Sequence, residues 1–351
     1  MAGKYRAVGW NRQKRIYDLA TFGVLFALIG TFAAVSFVTH PRYTPEMLMV
    51  RATALGAMLL LHLILCIGPL ARLSPTYLPL LYNRRHLGVT MFFLALVHAA
   101  LSTVMFHAMG PVNPLVSIFT AYQMEYSGGR ISDFPFEPFG FLALSIFLVM
   151  AITSHDFWLK FLGASFWKTL HLGVYFAYGS LIVHVALGAL QSETSSFYPA
   201  LMGVGFALVL GLHLAAGIKE RRHDRSKATH GLDGYERACN VDELKEGCGK
   251  TVVIGGERRA AFLHAGRVYA LSNVCRHQGG PIGEGRILDG CITCPWHGWQ
   301  YHPDTGVSPP PFHEVVETYP VRVQDGTVFI HPEPNPLETK MDGAPVAVGE
   351  N

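Results

Sequence analysis

Six long stretches of apolar residues without charge fill most of the first 218 residues, and they restrict this part of the chain to one kind of structure. Inside a lipid bilayer every backbone N–H and C=O group must be bonded within the protein, which an α-helix of about 20 residues achieves. The sequence therefore predicts an α-helical membrane bundle with six transmembrane helices. The stretches are Leu19–Val38, Ala52–Leu70, Leu87–Phe106, Phe139–Ser154, Thr169–Leu190 and Phe197–Ile218.

The distribution of basic residues predicts which ends of these helices face the cytoplasm. Fifteen Lys and Arg residues fall in the N-terminal tail, in the second and fourth connections and after the sixth stretch, whereas three fall in the other connections. Because cytoplasmic connections carry the excess of Lys and Arg, both termini are expected in the cytoplasm, with the protein in a bacterial inner membrane or a plasma membrane. The net charge of +3 is too small to predict a nucleic-acid partner.

Two cysteine–histidine motifs lie in the C-terminal third of the chain. One residue separates Cys275 from His277, and after sixteen further residues Cys294 is followed by His297 with two residues between them. This is the ligand pattern of a Rieske [2Fe–2S] cluster, in which the cysteines hold one iron and the histidines hold the other. Such a cluster carries single electrons. The other four cysteines are not predicted ligands, and in a cytoplasmic domain they are expected to be reduced.

Short β-type runs separated by Gly and Asp turns follow the last apolar stretch. Runs such as Thr251-Val-Val-Ile and Val268-Tyr-Ala-Leu predict a small all-β domain, with the two ligand pairs on adjacent loops. The predicted organisation is a basic tail (1–18), a membrane domain (19–218), a basic linker (219–231), the β domain (232–335) and a disordered tail (336–351).

The residues around both ligand pairs closely resemble the Rieske ferredoxin family, and the resemblance covers most of the predicted β domain. It rests on Asn273-Val-Cys-Arg-His-Gln-Gly-Gly-Pro, on Cys294-Pro-Trp-His-Gly-Trp and on the Pro309-Pro-Pro run. It implies that the two cysteines bind the buried iron and that the two histidines bind the exposed iron.

Two departures place the predicted cluster among the lower-potential members of that family. The high-potential Rieske proteins of cytochrome bc complexes have a disulfide between two extra cysteines, where this chain has Gly280 and Trp296. The serine that hydrogen-bonds the cluster in that branch corresponds to Trp299, although the tyrosine is retained as Tyr301. Fewer hydrogen bonds to the sulfurs imply a lower potential, so the resemblance predicts a ferredoxin-type cluster tuned by Tyr301.

Histidines recur inside the apolar stretches, where ionisable side chains are costly and indicate function. His98 and His184 fall at similar depths in the third and fifth stretches, and imidazoles on facing helices are typical axial ligands of haem. His171 lies thirteen residues before His184, about 20 Å along a helix axis. In an ideal helix these two side chains point to different sides, so a kink, or haems on different sides of the fifth helix, is required.

A second resemblance is to the ferric-reductase-like transmembrane family, over about residues 51–217. The motifs that carry it are Arg84-Arg-His-Leu-Gly, His98, Ile152-Thr-Ser, Trp167-Lys-Thr-Leu-His and His184. The family includes NADPH oxidases, ferric reductases and the haem-binding subunit of bacterial methionine-sulfoxide reductase. The resemblance implies that His98 and His184 bind an outer haem b and that His171 binds an inner one.

The inner haem lacks an obvious second ligand, because Arg84 stands where ferric reductases usually have a histidine. His86, His213 and His62 are the candidates, in that order, and a single haem is the alternative to two. A buried, hydrogen-bonded role is as consistent with His213 and His62 as a ligand role.

These predictions describe a membrane oxidoreductase that transfers electrons without its own NAD(P)H or flavin domain. One electron would pass between the cytoplasmic Rieske cluster and the haems in either direction, to or from redox partner proteins on the cytoplasmic and outer sides. A larger respiratory complex, a quinone, ferric iron and oxygen are open as partners. The alternatives are a ferric or quinone reductase with an outer-face substrate site, a Rieske oxygenase component, and a metal transporter with a histidine relay.

Overall fold

The structure is a computed structural model that describes residues 12–81, 84–120, 135–162, 164–192, 195–224, 233–296 and 298–346. These residues form two compact units. Within the described ranges, the helical unit comprises residues 12–68 and 84–213. The other unit comprises residues 69–81 and the chain from residue 214 onward, and it contains the β domain, residues 233–346.

Eleven α-helices occur in the described part of the chain before residue 225. Their bounds are α1 Arg12–Thr39, α2 Pro45–Leu73, α3 Leu78–Leu81, α4 Arg84–Phe106, α5 Pro114–Thr120, α6 Glu137–Ile152, α7 Asp156–Leu162, α8 Ala164–His171, α9 Gly173–Leu187, α10 Ala189–Ser192 and α11 Phe197–Asp224.

Five segments are long and apolar enough to cross a membrane, and they coincide with five of the six predicted stretches. They are Arg15–Thr39, Pro45–Leu73, Arg84–Phe106, Phe166–Gln191 and Phe197–Arg222. The remaining prediction, Phe139–Ser154, falls on α6, whose 16 residues are fewer than the roughly 20 of a typical span. The chain is therefore a multi-pass membrane protein with five candidate spans among the described residues, and a sixth span is not confirmed.

The fifth predicted stretch is interrupted immediately after His171. The helix α8 ends at His171 and α9 begins at Gly173, so Leu172 separates the two helical segments. Glycine has a low helix propensity, which favours an interruption at this point. The break lies between His171 and His184. It corresponds to the kink that the sequence predicted as one way for both histidines to bind haem.

Two glycines allow the start of α6 to pack closely against α9. A Cβ on Gly140 would lie 2.7 Å from Nδ1 of His184, and a Cβ on Gly188 would lie 2.6 Å from the ring of Phe136. Any other residue at either position would displace its neighbour. The close approach brings the first turn of α6 against the His184 imidazole.

The β domain contains eleven short strands in its described residues. They are β1 Glu236–Asn240, β2 Gly249–Ile254, β3 Glu257–His264, β4 Arg267–Ser272, β5 Arg286–Leu288, β6 Cys291–Thr293, β7 Gln300–Tyr301, β8 Thr318–Tyr319, β9 Val321–Gln324, β10 Thr327–Ile330 and β11 Ala344–Pro345. They form three antiparallel sheets with the orders β1-β10-β9, β11-β4-β3-β2 and β5-β6-β7, and β8 pairs with β4 beside the second path.

Four hairpins of this domain have two-residue turns in which both residues have positive φ. Such turns match the twist of the flanking strands and favour Gly and Asp, which explains the Gly and Asp punctuation in the sequence. The turns are Gly255–Gly256, Ala265–Gly266, Asp289–Gly290 and Asp325–Gly326. The prediction of a small all-β domain is confirmed.

The prediction of a disordered tail from residue 336 is wrong for residues 336–346. The strand β11 pairs with Arg267 and Val268 of β4, and the Arg267 guanidinium donates hydrogen bonds to the carbonyls of Asp342 and Gly343 at 2.6 and 3.1 Å. The polar composition was misleading because this segment is ordered by pairing with β4, a contact distant in sequence. Residues 347–351 lie outside the described residues.

Candidate functional site

Two loops of the β domain carry the cysteine–histidine motifs, and both close with the same backbone pattern. The N–H groups of Cys275 and Cys294 donate to the carbonyls five residues later, at 2.9 and 2.8 Å. Their own carbonyls accept from the N–H groups of Gly279 and Gly298, four residues later, at 2.6 and 2.9 Å. These glycines have φ of +69° and +73°, which only glycine adopts readily. The repeated Cys-x-x-x-Gly spacing was visible in the sequence but was not interpreted there.

The structure places three of the four predicted cluster ligands on these loops. Cys275 and Cys294 are 1% and 2% exposed, and their thiols are within hydrogen-bonding range of each other. His277 is partly exposed, and His297 lies outside the described residues. Without His297, no group of three or more His, Cys, Asp or Glu side chains is arranged to hold a metal ion in the described structure.

The two loops meet at Gly280. A Cβ on this residue would lie 2.8 Å from Sγ of Cys294 and 3.1 Å from the ring of Trp296. Gly280 and Trp296 stand at the two positions that form the disulfide in the high-potential Rieske branch. The two residues are neighbours in this structure, but neither has a thiol, so no disulfide can form between them.

Hydrogen bonds around Cys275 favour the thiolate form that binds iron. The Tyr301 hydroxyl accepts the N–H of Arg276 at 2.9 Å and lies 3.3 Å from Sγ of Cys275. Burial, and then the nearby Cys275, raises the pKa of Tyr301, so the hydroxyl keeps its hydrogen and donates to the sulfur. Burial alone would raise the pKa of Cys275, but hydrogen bonds from the Cys294 thiol, Tyr301 and two backbone N–H groups outweigh it and lower the pKa. When both thiols are deprotonated to bind iron, the donors that remain are Tyr301 and the two backbone N–H groups.

Three histidines of the helical unit are oriented by backbone carbonyls. Nδ1 of His98 lies 3.0 Å from the oxygen of Val50, and Nδ1 of His184 lies 3.0 Å from that of Phe136. Nδ1 of His171 lies 2.9 Å from a carbonyl one turn earlier in α8. A carbonyl can only accept, so Nδ1 carries the hydrogen and Nε2 of the neutral imidazole retains its lone pair. Metal-binding histidines are commonly oriented in this way.

The environments of these three histidines fit haem ligation. His98 on α4 and His184 on α9 are close enough to interact electrostatically. Nε2 of His171 is buried and forms no hydrogen bond within the described structure, while its ring stacks on Trp167 with centroids 3.8 Å apart. A buried nitrogen without a hydrogen bond is costly in an apolar bundle, and coordination to iron would remove that cost.

For two of the further candidates, His213 and His62, the surroundings of Nε2 disfavour binding to a haem iron. Nε2 of His213 lies 2.9 Å from the hydroxyl of Tyr175, which donates to it because Nδ1 of His213 faces a carbonyl. Nε2 of His62 is buried against α11, because a Cβ on Gly205 would lie only 2.6 Å from it. Only the arrangement of His213 matches the hydrogen-bonded structural role, because Nε2 of His62, like that of His171, is buried without a hydrogen bond in the described structure.

His86, the first of the candidates, lies in the N-terminal turn of α4. Its Nδ1 lies 2.8 Å from Oδ2 of Asp18, and a carboxylate that accepts from Nδ1 is a common way to orient a ligand histidine. The adjacent Arg84 and Arg85 interact electrostatically with His171, which places this turn of α4 near α8.

Comparison with known proteins identifies both parts of the chain. The Rieske [2Fe-2S] domain family matches residues 235–320, and the ferric reductase like transmembrane component matches residues 53–182. The ferredoxin component of an alkene monooxygenase system from Xanthobacter autotrophicus is 31% identical over 105 residues, which cover 30% of this chain and 86% of that protein.

Two further relatives match the same domain. The anthranilate 1,2-dioxygenase ferredoxin subunit of Burkholderia cepacia is 32% identical over 92 residues, 26% of this chain and 85% of that protein. The solved structure of the Sphingomonas yanoikuyae B1 ferredoxin is 29% identical and covers 28% of this chain and 97% of that one, with a TM-score of 0.26.

The chain belongs to the Rieske [2Fe–2S] family and carries a ferric-reductase-like transmembrane component in the same polypeptide. Both resemblances noted in the sequence are confirmed. The Rieske domain supports a [2Fe–2S] cluster as a cofactor, and the two components together support electron transfer in a membrane protein.

Replacing Tyr301 by phenylalanine is expected to lower the reduction potential of the cluster. The reduced cluster carries more negative charge on its sulfurs, so it is stabilised more than the oxidised form by a donor to Cys275. One hydrogen bond of about 0.5–1.5 kcal/mol corresponds to about 20–65 mV for a one-electron couple. A redox titration followed by electron paramagnetic resonance (EPR) measures the shift, and an unchanged potential with an intact cluster would contradict this role of the hydroxyl.

Proposed function

We propose that this protein transfers single electrons across the membrane between a Rieske [2Fe–2S] cluster and haem b held by its helical unit. The observation that carries the proposal is the pairing, in one chain, of two matched cluster loops with transmembrane histidines whose Nδ1 atoms are fixed by carbonyls. Each cofactor accepts and releases one electron at a time, so no side chain needs to form a bond with a substrate.

The cluster ligands in this proposal are Cys275 and Cys294 for one iron and His277 and His297 for the other. The burial of both thiols and the partial exposure of His277 support this division, since a solvent-facing histidine gives a redox partner a short route to the metal.

The haem ligands in this proposal are His98 and His184 for an outer haem and His171 for an inner one. His86 is its proposed second ligand. Nε2 of His213 is already hydrogen-bonded to Tyr175, and Nε2 of His62 is packed against α11. The alternative is a single haem between His98 and His184.

The proposed topology has six crossings, with α6 as the fourth and both termini in the cytoplasm. An even number of crossings puts the basic N-terminal tail and the basic segment after α11 on the same side, as the positive-inside rule requires. With five crossings these two segments would lie on opposite sides, against the charge distribution.

Contacts within the second compact unit join the β domain to the ends of α2 and α11, which the charge distribution assigns to the cytoplasm in this proposal. Arg258 of β3 forms a salt bridge with Glu220 of α11. The neighbouring Lys219 donates to the carbonyls of Arg72 and Leu73 at the end of α2, at 2.9 and 3.0 Å. All five residues belong to the same compact unit, which ties the β domain to the ends of two membrane helices.

The partners are proposed to be redox proteins, one on each side of the membrane. The relatives are named as ferredoxin parts of an alkene monooxygenase and of a dioxygenase, which supports a protein partner for the cluster. Because those relatives are named as parts of oxygenase systems, delivery of electrons to an oxygenase is the second candidate. Quinone, ferric iron and a larger respiratory complex are alternatives on the outer side.

A redox titration of the purified full-length protein tests the cofactor content. We expect the rhombic EPR signal of a reduced Rieske cluster together with b-type haem absorption. A cluster potential below both haem potentials would support flow from the cytoplasm outward, and a clearly higher one would support the reverse. The absence of either cofactor would contradict the proposal.

Replacing Gly140 by alanine is expected to reduce the haem b content to about half, by loss of the outer haem. The new Cβ would lie 2.7 Å from Nδ1 of His184 and displace its imidazole from the Phe136 carbonyl. Gly179→Ala on α9 is the matched control, since its Cβ would meet no atom within 4 Å. Haem-to-protein ratios measure the effect, and equal haem contents in both variants would contradict it.

A further inference from the structure

The indole of Trp299 lies flat against the imidazole of His277. The two ring centroids are 4.4 Å apart and the ring planes differ by 6°. Trp299 follows the second cysteine loop and is 1% exposed, whereas His277 belongs to the first loop and is partly exposed. One face of this predicted iron ligand is therefore covered by an aromatic ring from the other loop.

Trp299 is itself held in place by residues after the loop. Its Nε1–H donates to Oγ of Ser308 at 3.0 Å, and the buried Ser308 in turn donates its backbone N–H to the carbonyl of Glu314 at 2.9 Å. The ring of Phe312 packs on the indole with centroids 4.2 Å apart. The orientation of the indole is therefore fixed independently of His277.

The hydrogen bond to Ser308 also determines how Trp299 can influence the cluster. Trp299 occupies the position of a serine that donates to the cluster in the high-potential branch of the family. The only hydrogen that Trp299 could donate from its side chain is already bonded to Ser308. A hydrogen bond from the indole to the cluster is therefore excluded, and the stacked His277 ring is the contact through which Trp299 reaches a ligand of the iron.

We propose that Trp299 is a positioning residue that fixes the plane of the His277 imidazole and lowers the reduction potential of the cluster. Two effects act in the same direction. The indole excludes water from one face of the ligand, and water would stabilise the extra negative charge of the reduced cluster. The negative face of the indole also favours the more positive, oxidised state. The inference rests on the proposed cluster ligation.

The test compares four variants of the full-length protein. Trp299→Leu removes the aromatic ring, Trp299→Phe keeps a smaller ring without the N–H, and Ser308→Ala keeps the indole but removes its acceptor. Val316→Ala is the matched control, because Val316 is a 1%-exposed member of the same hydrophobic core. The two readouts are the midpoint potential by EPR titration and the nitrogen couplings of the histidine ligands by pulsed EPR, which report the imidazole orientation.

We expect a positive shift of the potential and altered nitrogen couplings in Trp299→Leu, with smaller shifts of the same sign in Trp299→Phe and Ser308→Ala. Val316→Ala should leave both readouts unchanged. If Trp299→Leu does not assemble a cluster, the potentials and nitrogen couplings of Trp299→Phe and Ser308→Ala test the inference instead.

Three results would overturn the inference. They are unchanged readouts in the Trp299 and Ser308 variants, a negative shift in them, or an equal shift in Val316→Ala. A wild-type protein without any cluster signal would instead contradict the cluster ligation on which the inference depends.

Discussion

The Cys275→Ala variant is expected to lose the [2Fe–2S] cluster almost completely, with disappearance of the rhombic EPR signal. Cys275 supplies one of two thiolates to the same iron, and it is buried where hydrogen bonds lower its pKa and favour the thiolate. Removing it leaves that iron with a single protein ligand, Cys294, which is too few to retain it. Iron and sulfide content per protein, measured together with EPR, gives the cluster occupancy.

Cys291→Ala is the matched control for this loss. Cys291 is also buried in the β domain, but it lies outside the two loops, with its Sγ 3.7 Å from Nδ1 of His302. Burial, and then the charge of Asp289, raises its pKa, so it stays a thiol. Cluster occupancy should be unchanged in Cys291→Ala. A cluster that survives Cys275→Ala, or one that is lost equally in both variants, would contradict the ligand assignment.

The His184→Ala variant is expected to lose the outer haem and so about half of the haem b of the protein. The Nδ1–H of His184 donates to the Phe136 carbonyl, and its Nε2 is proposed to bind the same haem iron as His98. His98→Ala should give the same loss for the same reason. The haem-to-protein ratio and the number of steps in an optical redox titration measure the effect.

His213→Ala is the matched control for the haem variants. It also removes an imidazole from a candidate membrane span. Both nitrogens of this imidazole are already hydrogen-bonded, to Val209 and to Tyr175, so it is not a proposed haem ligand. The haem content should be unchanged. A full haem complement in His184→Ala, or an equal loss in His213→Ala, would contradict the proposed ligation.

Local patterns in the sequence were sufficient for the coarse fold and for the family of the redox site. Charge-free apolar stretches predicted six spans, five of which coincide with candidate spans in the described residues, and short β-type runs separated by Gly and Asp turns predicted the all-β domain. The spacing from Cys275 to His297 indicated a Rieske domain, which the family comparison confirms.

Contacts between residues distant in sequence could not be predicted in this way. The order of residues 336–346 depends on the pairing of Ala344 with Val268. The space for the His184 ring depends on Gly140, and the cover of His277 depends on Trp299. In each case the two contacting residues are brought together only by the fold. The local sequence around one of them therefore does not indicate the other.

Electron transfer across a closed membrane tests the central claim most directly. The full-length protein is reconstituted in liposomes that enclose ferricyanide, and a membrane-impermeant reductant is added outside; the reverse arrangement covers the opposite direction. We expect the wild type to bleach the enclosed ferricyanide well above the rate of protein-free liposomes. The Cys275→Ala and His184→Ala variants should fall to that background. A wild-type rate at background in both arrangements, or an undiminished rate in either variant, would contradict the account.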